Sequence, residues 1–123
     1  MKTPGNYIDG FLLPVPKAKL DDYKRVAERA AAIWIEHGAL QYTECAADDL
    51  GTDFCRSFVE TAGAKEDEVV ILAWAVFADR AARDAANAAI MADERMTSMC
   101  EETGQIFDCK RMAFGGFKPI VAH

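Results

Sequence analysis

Within residues 37–50, HGALQYTECAADDL, one of the chain's two histidines and one of its four cysteines stand close to three carboxylates, Glu44, Asp48 and Asp49. Such a set could supply a nucleophile, a proton acceptor or metal ligands. Strand alternation divides it. Leu40, Tyr42 and Glu44 fall on one face and Gln41, Thr43 and Cys45 on the other, so Glu44 and Cys45 cannot serve one site. Cys45 then reads as a small buried apolar residue, and Asp48 with Asp49 as a solvated turn. His37 precedes Gly38 and reads first as a helix-end residue complementing orphan carbonyls, with a ligand or proton-transfer role as the alternative. Neither His37 nor His123 has a second ligand at helical or hairpin spacing, so no metal is expected.

Charges inside otherwise apolar strands are the stronger candidates. Asp9 in YIDGF cannot lie under a helix layer without a partner, because an unpaired buried carboxylate is costly, and is expected to face a cavity on the other side. Arg111 in CKRMAFGGFKPIV stands similarly. If their strands are neighbours, the two can form an ion pair that fixes the sheet; alternatively Arg111 anchors an anionic ligand while Asp9 exchanges protons. Glu44 on an edge strand and Trp74, with Phe11 and Phe117 as further walls, complete the set, core packing being the plainer reading of the aromatics. The ligand-binding candidates are therefore Asp9, Arg111, Glu44, His37 and Trp74, with no catalytic residue assigned. FGGF lacks the Lys-Ser/Thr of a phosphate cradle and opens no helix, so no nucleotide cofactor is expected.

The elements that position these residues follow from periodicity. Residues 7–15 form a strand closed by PVPK, whose prolines withhold ladder donors. From Leu20, apolar positions at three- and four-residue steps through Trp34 make an amphipathic helix with acids at its start and Gly38 at its end. Residues 40–46 form strand two. Phe54 and Phe58 suggest a short helical turn ended by Gly63, and KEDE a charged approach to strand three at 69–77. Asp79 caps an alanine-rich helix in which Asn87 either bonds a neighbouring loop or faces solvent. Asp93 starts a short piece reaching Glu101 with Met96, Met99 and Cys100 inward, and residues 109–121 form strand four, where Gly115 and Gly116 mark a bulge or a close approach. The order β-α-β-β-α-β is the ferredoxin-like arrangement, a four-stranded antiparallel sheet with helices on one face.

Strand three is apolar at every position, although a wet antiparallel face should alternate. Val69, Ile71, Ala73, Ala75 and Phe77 suit the side beneath the helices. Val70, Leu72, Trp74 and Val76 are then left for a second copy of the chain, so a homodimer is expected.

Composition bounds the rest. The 123 residues, 51% hydrophobic, make one domain able to bury a core. A net charge of -6 opposes a phosphate backbone, so nucleic acid is not an expected partner. The start reads as neither signal peptide nor anchor, and the longest apolar run, residues 69–78, is about half a membrane span. A cytoplasmic protein with free thiols and no membrane association follows.

The runs YIDGFLLPVPK, EHGALQYTEC, AKEDEVV, DRAARDAANAAIMADERM and KRMAFGGFK resemble, in order and over nearly the whole chain, the YbaA-like family of small bacterial proteins, a domain of unknown function. The resemblance implies a dimeric α+β barrel, two sheets facing each other around a cavity. It implies no activity, and whether the chain is an enzyme stays open. The wider superfamily includes cofactor-independent monooxygenases of aromatic substrates, muconolactone-type isomerases and haem-handling enzymes, and barrels without chemistry. Two functions follow as expectations: binding or transforming a small anionic or aromatic metabolite in the barrel cavity, without a metal; or a non-catalytic structural and interaction dimer.

Overall fold

The computed structural model describes residues 6–123. Strand β1 (Tyr7–Pro16) leads through a 3-10 turn, Lys17–Lys19, into α1 (Leu20–Glu36). Then come β2 (Gln41–Ala46), the short α2 (Phe58–Ala62), β3 (Glu68–Phe77), α3 (Arg80–Met91), α4 (Glu94–Gly104) and β4 (Ala113–Phe117). The strands form one antiparallel sheet in the order β2-β3-β1-β4, the ferredoxin-like topology expected from the sequence. Among the described residues no helix is long and apolar enough to cross a membrane.

Local chemistry sets the ends. Asp79 accepts from Ala82 N at 2.7 Å to start α3, and Asp93 accepts from Arg95 N at 2.9 Å to start α4. Gly38 follows α1 at φ 117° and Gly63 follows α2 at φ 66°, backbone that a side chain would resist. Pro14 and Pro16 are tolerated in β1 because β4 pairs only as far as Leu12, leaving β3 as the sole neighbour beyond it. The last strand is shorter than residues 109–121. Asp108 accepts from Lys110 N at 2.9 Å and turns Cys109–Arg111 into a 3-10 helix, and Pro119 has no N–H to extend the ladder.

On the helix side of the sheet, Leu13, Val15, Ile71, Ala75 and Phe77 pack with Val26, Ile33, Ala86 and Ile90 into one core. The opposite side carries Ile8, Leu12, Leu72, Trp74, Val76 and Phe117, and here Leu72 and Phe117 remain 42% and 63% exposed. One end of that face is covered after all. Ala47, Leu50 and Phe58 of α2 border a groove there together with Val70, which is 4% exposed, and Pro14 is fully buried.

Asp9 corrects the sequence reading. Its side chain faces the helix layer and is fully buried, and α3 supplies the partner. Arg83 Nε donates to both carboxylate oxygens, at 2.9 and 3.2 Å, and Asn87 Nδ2, one helical turn on, donates at 3.3 Å. Asn87 thus meets a strand carboxylate rather than a loop or solvent. The Arg83 guanidinium also lies 5.2 Å from the centre of the Tyr7 ring. Gly116, paired with Asp9 across the sheet, makes room for this group: a Cβ there would stand 2.6 Å from Tyr7 Oη and 2.8 Å from Arg83 Nη2.

Arg111 is the second correction. It ends the 3-10 turn rather than lying in β4, and its partner is not Asp9. Nη1 and Nη2 grip Glu68 at 2.7 and 2.9 Å, and Nη2 also donates to the Gly63 carbonyl at 2.6 Å. The Arg111 fork, with the Lys65 N–H, lowers the Glu68 carboxyl to about 2.

Two expectations follow. Arg83→Met strands the Asp9 charge in the core and lowers the unfolding free energy by about 3–5 kcal/mol, read from urea unfolding. Glu68 contributes stability that is present above the ordinary carboxyl value of 4.5 and is lost as the pH falls from there through about 2. Glu68→Gln should therefore be less stable than the parent at neutral pH, and the two should converge toward pH 2.

Candidate functional site

A cavity of about 200 Å³ lies between the inner face of the sheet and the helices α1 and α4. Its walls are almost wholly apolar. Phe11, Trp34 and Phe107 supply aromatic surface, and Met96, Met99 and Met112 fill the spaces between. The amphipathic periods of α1 and α4 turn Tyr23, Val26, Ala27, Ala30 and Trp34, and Met96, Met99, Cys100 and Thr103, toward it.

Three polar side chains converge at one side. Glu44 of β2 accepts from the Tyr23 hydroxyl on one oxygen and from the Tyr42 hydroxyl on the other, the latter at 2.7 Å. Burial, and then the charge of Glu44, push both phenols far above their ordinary range, so both stay protonated and keep donating. Among the described residues Glu44 is the sole charged one lining the cavity. Trp34 contributes one more polar atom: its Nε1 is buried without a hydrogen-bond partner among the described residues. The arrangement offers a carboxylate acceptor and two phenols at the wall of a largely apolar chamber, whose volume of about 200 Å³ is below the roughly 300 Å³ at which ligand clefts usually begin.

The sequence candidates scatter. Glu44 lines the cavity, while Cys45 lines a groove on the opposite face and is exposed there rather than buried, because that face of the edge strand has no helical cover. Asp9 and Arg111 are held in separate ion pairs with Arg83 and Glu68. Trp74 lies on the open face of the sheet, half-buried. His37 bonds Asp93 through Nε2 at 2.8 Å and so ties the end of α1 to the start of α4. Glu36, His37 and Asp93 bring potential ligand atoms within 4.8 Å of one another, but Arg95 bonds both carboxylates and supplies the positive charge there. A larger groove of about 410 Å³ runs outside, between α1 and α4; its polar edge is engaged in the Arg29–Glu102 and Arg95–Glu36 pairs.

Tyr23, Tyr42 and Trp34 are the residues that sequence reasoning missed. The signal was present for Tyr42, which shares the Glu44 face by simple alternation. Tyr23 and Trp34 belong to the apolar stripe of α1 by spacing, and periodicity cannot show that a phenol in such a stripe ends on a carboxylate. The cavity also lies on the other side of the sheet from the one expected between two facing sheets.

Comparison with known proteins agrees with this architecture. Two solved structures share the fold over 96% of this chain. One is SnoaB, a cofactor-independent oxygenase from Streptomyces nogalater, with TM-score 0.60, 16% identity and 96% of that chain covered. The other is a dimeric ferredoxin-like protein from an uncultured marine organism, with TM-score 0.62, 11% identity and 99% covered. The uncharacterized protein YbaA of Escherichia coli K12 is 39% identical over 115 residues, 94% of this chain and 97% of that protein, and YbaA of Shigella flexneri matches equally. The family described as a protein of unknown function (DUF1428) matches residues 6–109. On both the family match and the identity to YbaA, the chain belongs to the DUF1428 family.

Proposed function

We propose that the chain is a homodimer in which each subunit binds a small aromatic molecule in the cavity beneath α1 and α4. The observation that carries this reading is the Tyr23–Glu44–Tyr42 cluster set in an aromatic and methionine-rich chamber. A polar group buried in a core is normally satisfied and packed around, whereas here the cluster borders open space. Glu44 is a carboxylate, a residue type that serves in acid–base work as well as in binding. SnoaB, similar in fold, is an oxygenase without a cofactor, which is compatible with chemistry in a chamber of this type. The anion anchor expected at Arg111 is absent from the cavity walls, and this favours the aromatic over the anionic half of the original expectation.

Pairing through the open sheet face supports the dimer. Leu72 and Phe117 are exposed and Trp74 and Val76 half-buried, an apolar patch of the kind that monomers usually cover. Burying such a surface contributes roughly 25 cal/mol per Å² before association costs are subtracted.

A thermal-shift screen of small aromatic compounds tests the cavity. A ligand at a hundred times its Kd should stabilise by about 2.7 kcal/mol, and Ala27→Leu, which fills the chamber, should remove that shift while the chain stays folded. A compound series that leaves both proteins unmoved would sink the binding reading. Light scattering tests the assembly: the parent should run at twice the 13.5 kDa chain mass, and Trp74→Glu should shift it toward monomer or aggregate. A soluble parent monomer at micromolar concentration would refute the pairing.

A further inference from the structure

We propose, resting on the cavity reading above, that the ligand is a small protonated organic amine with an aromatic body, its ammonium group set against Glu44. The charge balance of the chamber leads there. Glu44 brings a negative charge to a mostly apolar space, and among the described residues no lysine, arginine or histidine lines the walls. Among the described residues no lysine or arginine forms a salt bridge with it. Two phenol hydrogen bonds stabilise the carboxylate but do not neutralise it, and its two oxygens retain further acceptor sites. An anionic ligand would meet like charge, and a neutral one would seal the carboxylate away from water without a counterion.

The walls suit a cation as well. Trp34 and Tyr42 stand with ring centroids 5.6 Å apart and planes inclined at 57°, and Tyr23 and Phe107 at 5.6 Å and 71°. Each pair includes a phenol bonded to Glu44, so aromatic rings stand close to the carboxylate, and electron-rich ring surface is what aromatic cages use to hold ammonium ions. The net charge of -6 adds a long-range field that draws cations toward the chain and repels anions.

The test uses three probes with the same aromatic body: 2-phenylethylamine, 2-phenylethanol and phenylacetate, titrated calorimetrically into the full chain at pH 7. The amine should bind about tenfold more tightly than the alcohol, with phenylacetate weakest. Glu44→Gln, which keeps the shape and removes the charge, should bring the amine to the level of the alcohol. The parent series decides the matter by itself should that variant fold poorly. Equal or tighter binding of the alcohol or the acid overturns the amine assignment and leaves the cavity reading intact. Silence from all three probes overturns both. A preference for the amine that persists in folded Glu44→Gln removes Glu44 from the assignment and so overturns it as stated.

Discussion

A carboxylate shut away from water in the central part of a sheet is tolerable only with a fixed counterion, and the Asp9–Arg83 pair meets that demand. Much of the architecture answers to it. α3 must cross the sheet so that Arg83 and Asn87, a turn apart, both reach β1, and β4 must offer Gly116 where any side chain would displace Tyr7 and Arg83. The rings of Tyr7 and Phe114, at 5.2 and 6.0 Å from the guanidinium, wall it in. One charge in β1 therefore fixes the placement of a helix, the identity of a residue in the neighbouring strand and the packing of two rings.

Glu44 is treated differently under the same helical cover. Asp9 has an arginine fork and an amide; Glu44 has two phenols and open volume beside it. The first arrangement is closed in charge and in space, which is what a structural group requires. The second is closed in neither. This contrast, rather than the mere occurrence of a carboxylate in a strand, sets a group that organises the fold apart from one whose surroundings leave space beside it, the basis of the proposal made for Glu44.

Local patterns carried most of the fold. Alternation in β2 and β3 assigns their faces correctly, the caps at Asp79 and Asp93 stand where α3 and α4 begin, and the inward turn of Met96 and Met99 is legible from spacing, whereas Cys100 at the edge of the same stripe stays exposed. The failures concern choices between distant partners. Asp9 needed some arginine, and the sequence contains several; selecting Arg83 over Arg111 depends on how α3 crosses the sheet, which no local rule specifies. The early end of β4 came from a competition between strand propensity and the Asp108 turn, and the turn won because its capping bond is local. The site was least legible because it is assembled from β2, α1 and α4, and because residues such as Tyr23 and Trp34 look the same in sequence whether they pack or line a chamber.

The position of the chamber has a consequence for stoichiometry. It opens beneath α1 and α4, on the side of the sheet away from Leu72, Trp74 and Phe117. Two copies joined through that outer face would carry their chambers on opposite flanks, each completed by residues of a single chain. Occupancy of one would then neither assemble nor obstruct the other, giving one equivalent per chain and a hyperbolic isotherm with a Hill coefficient near unity.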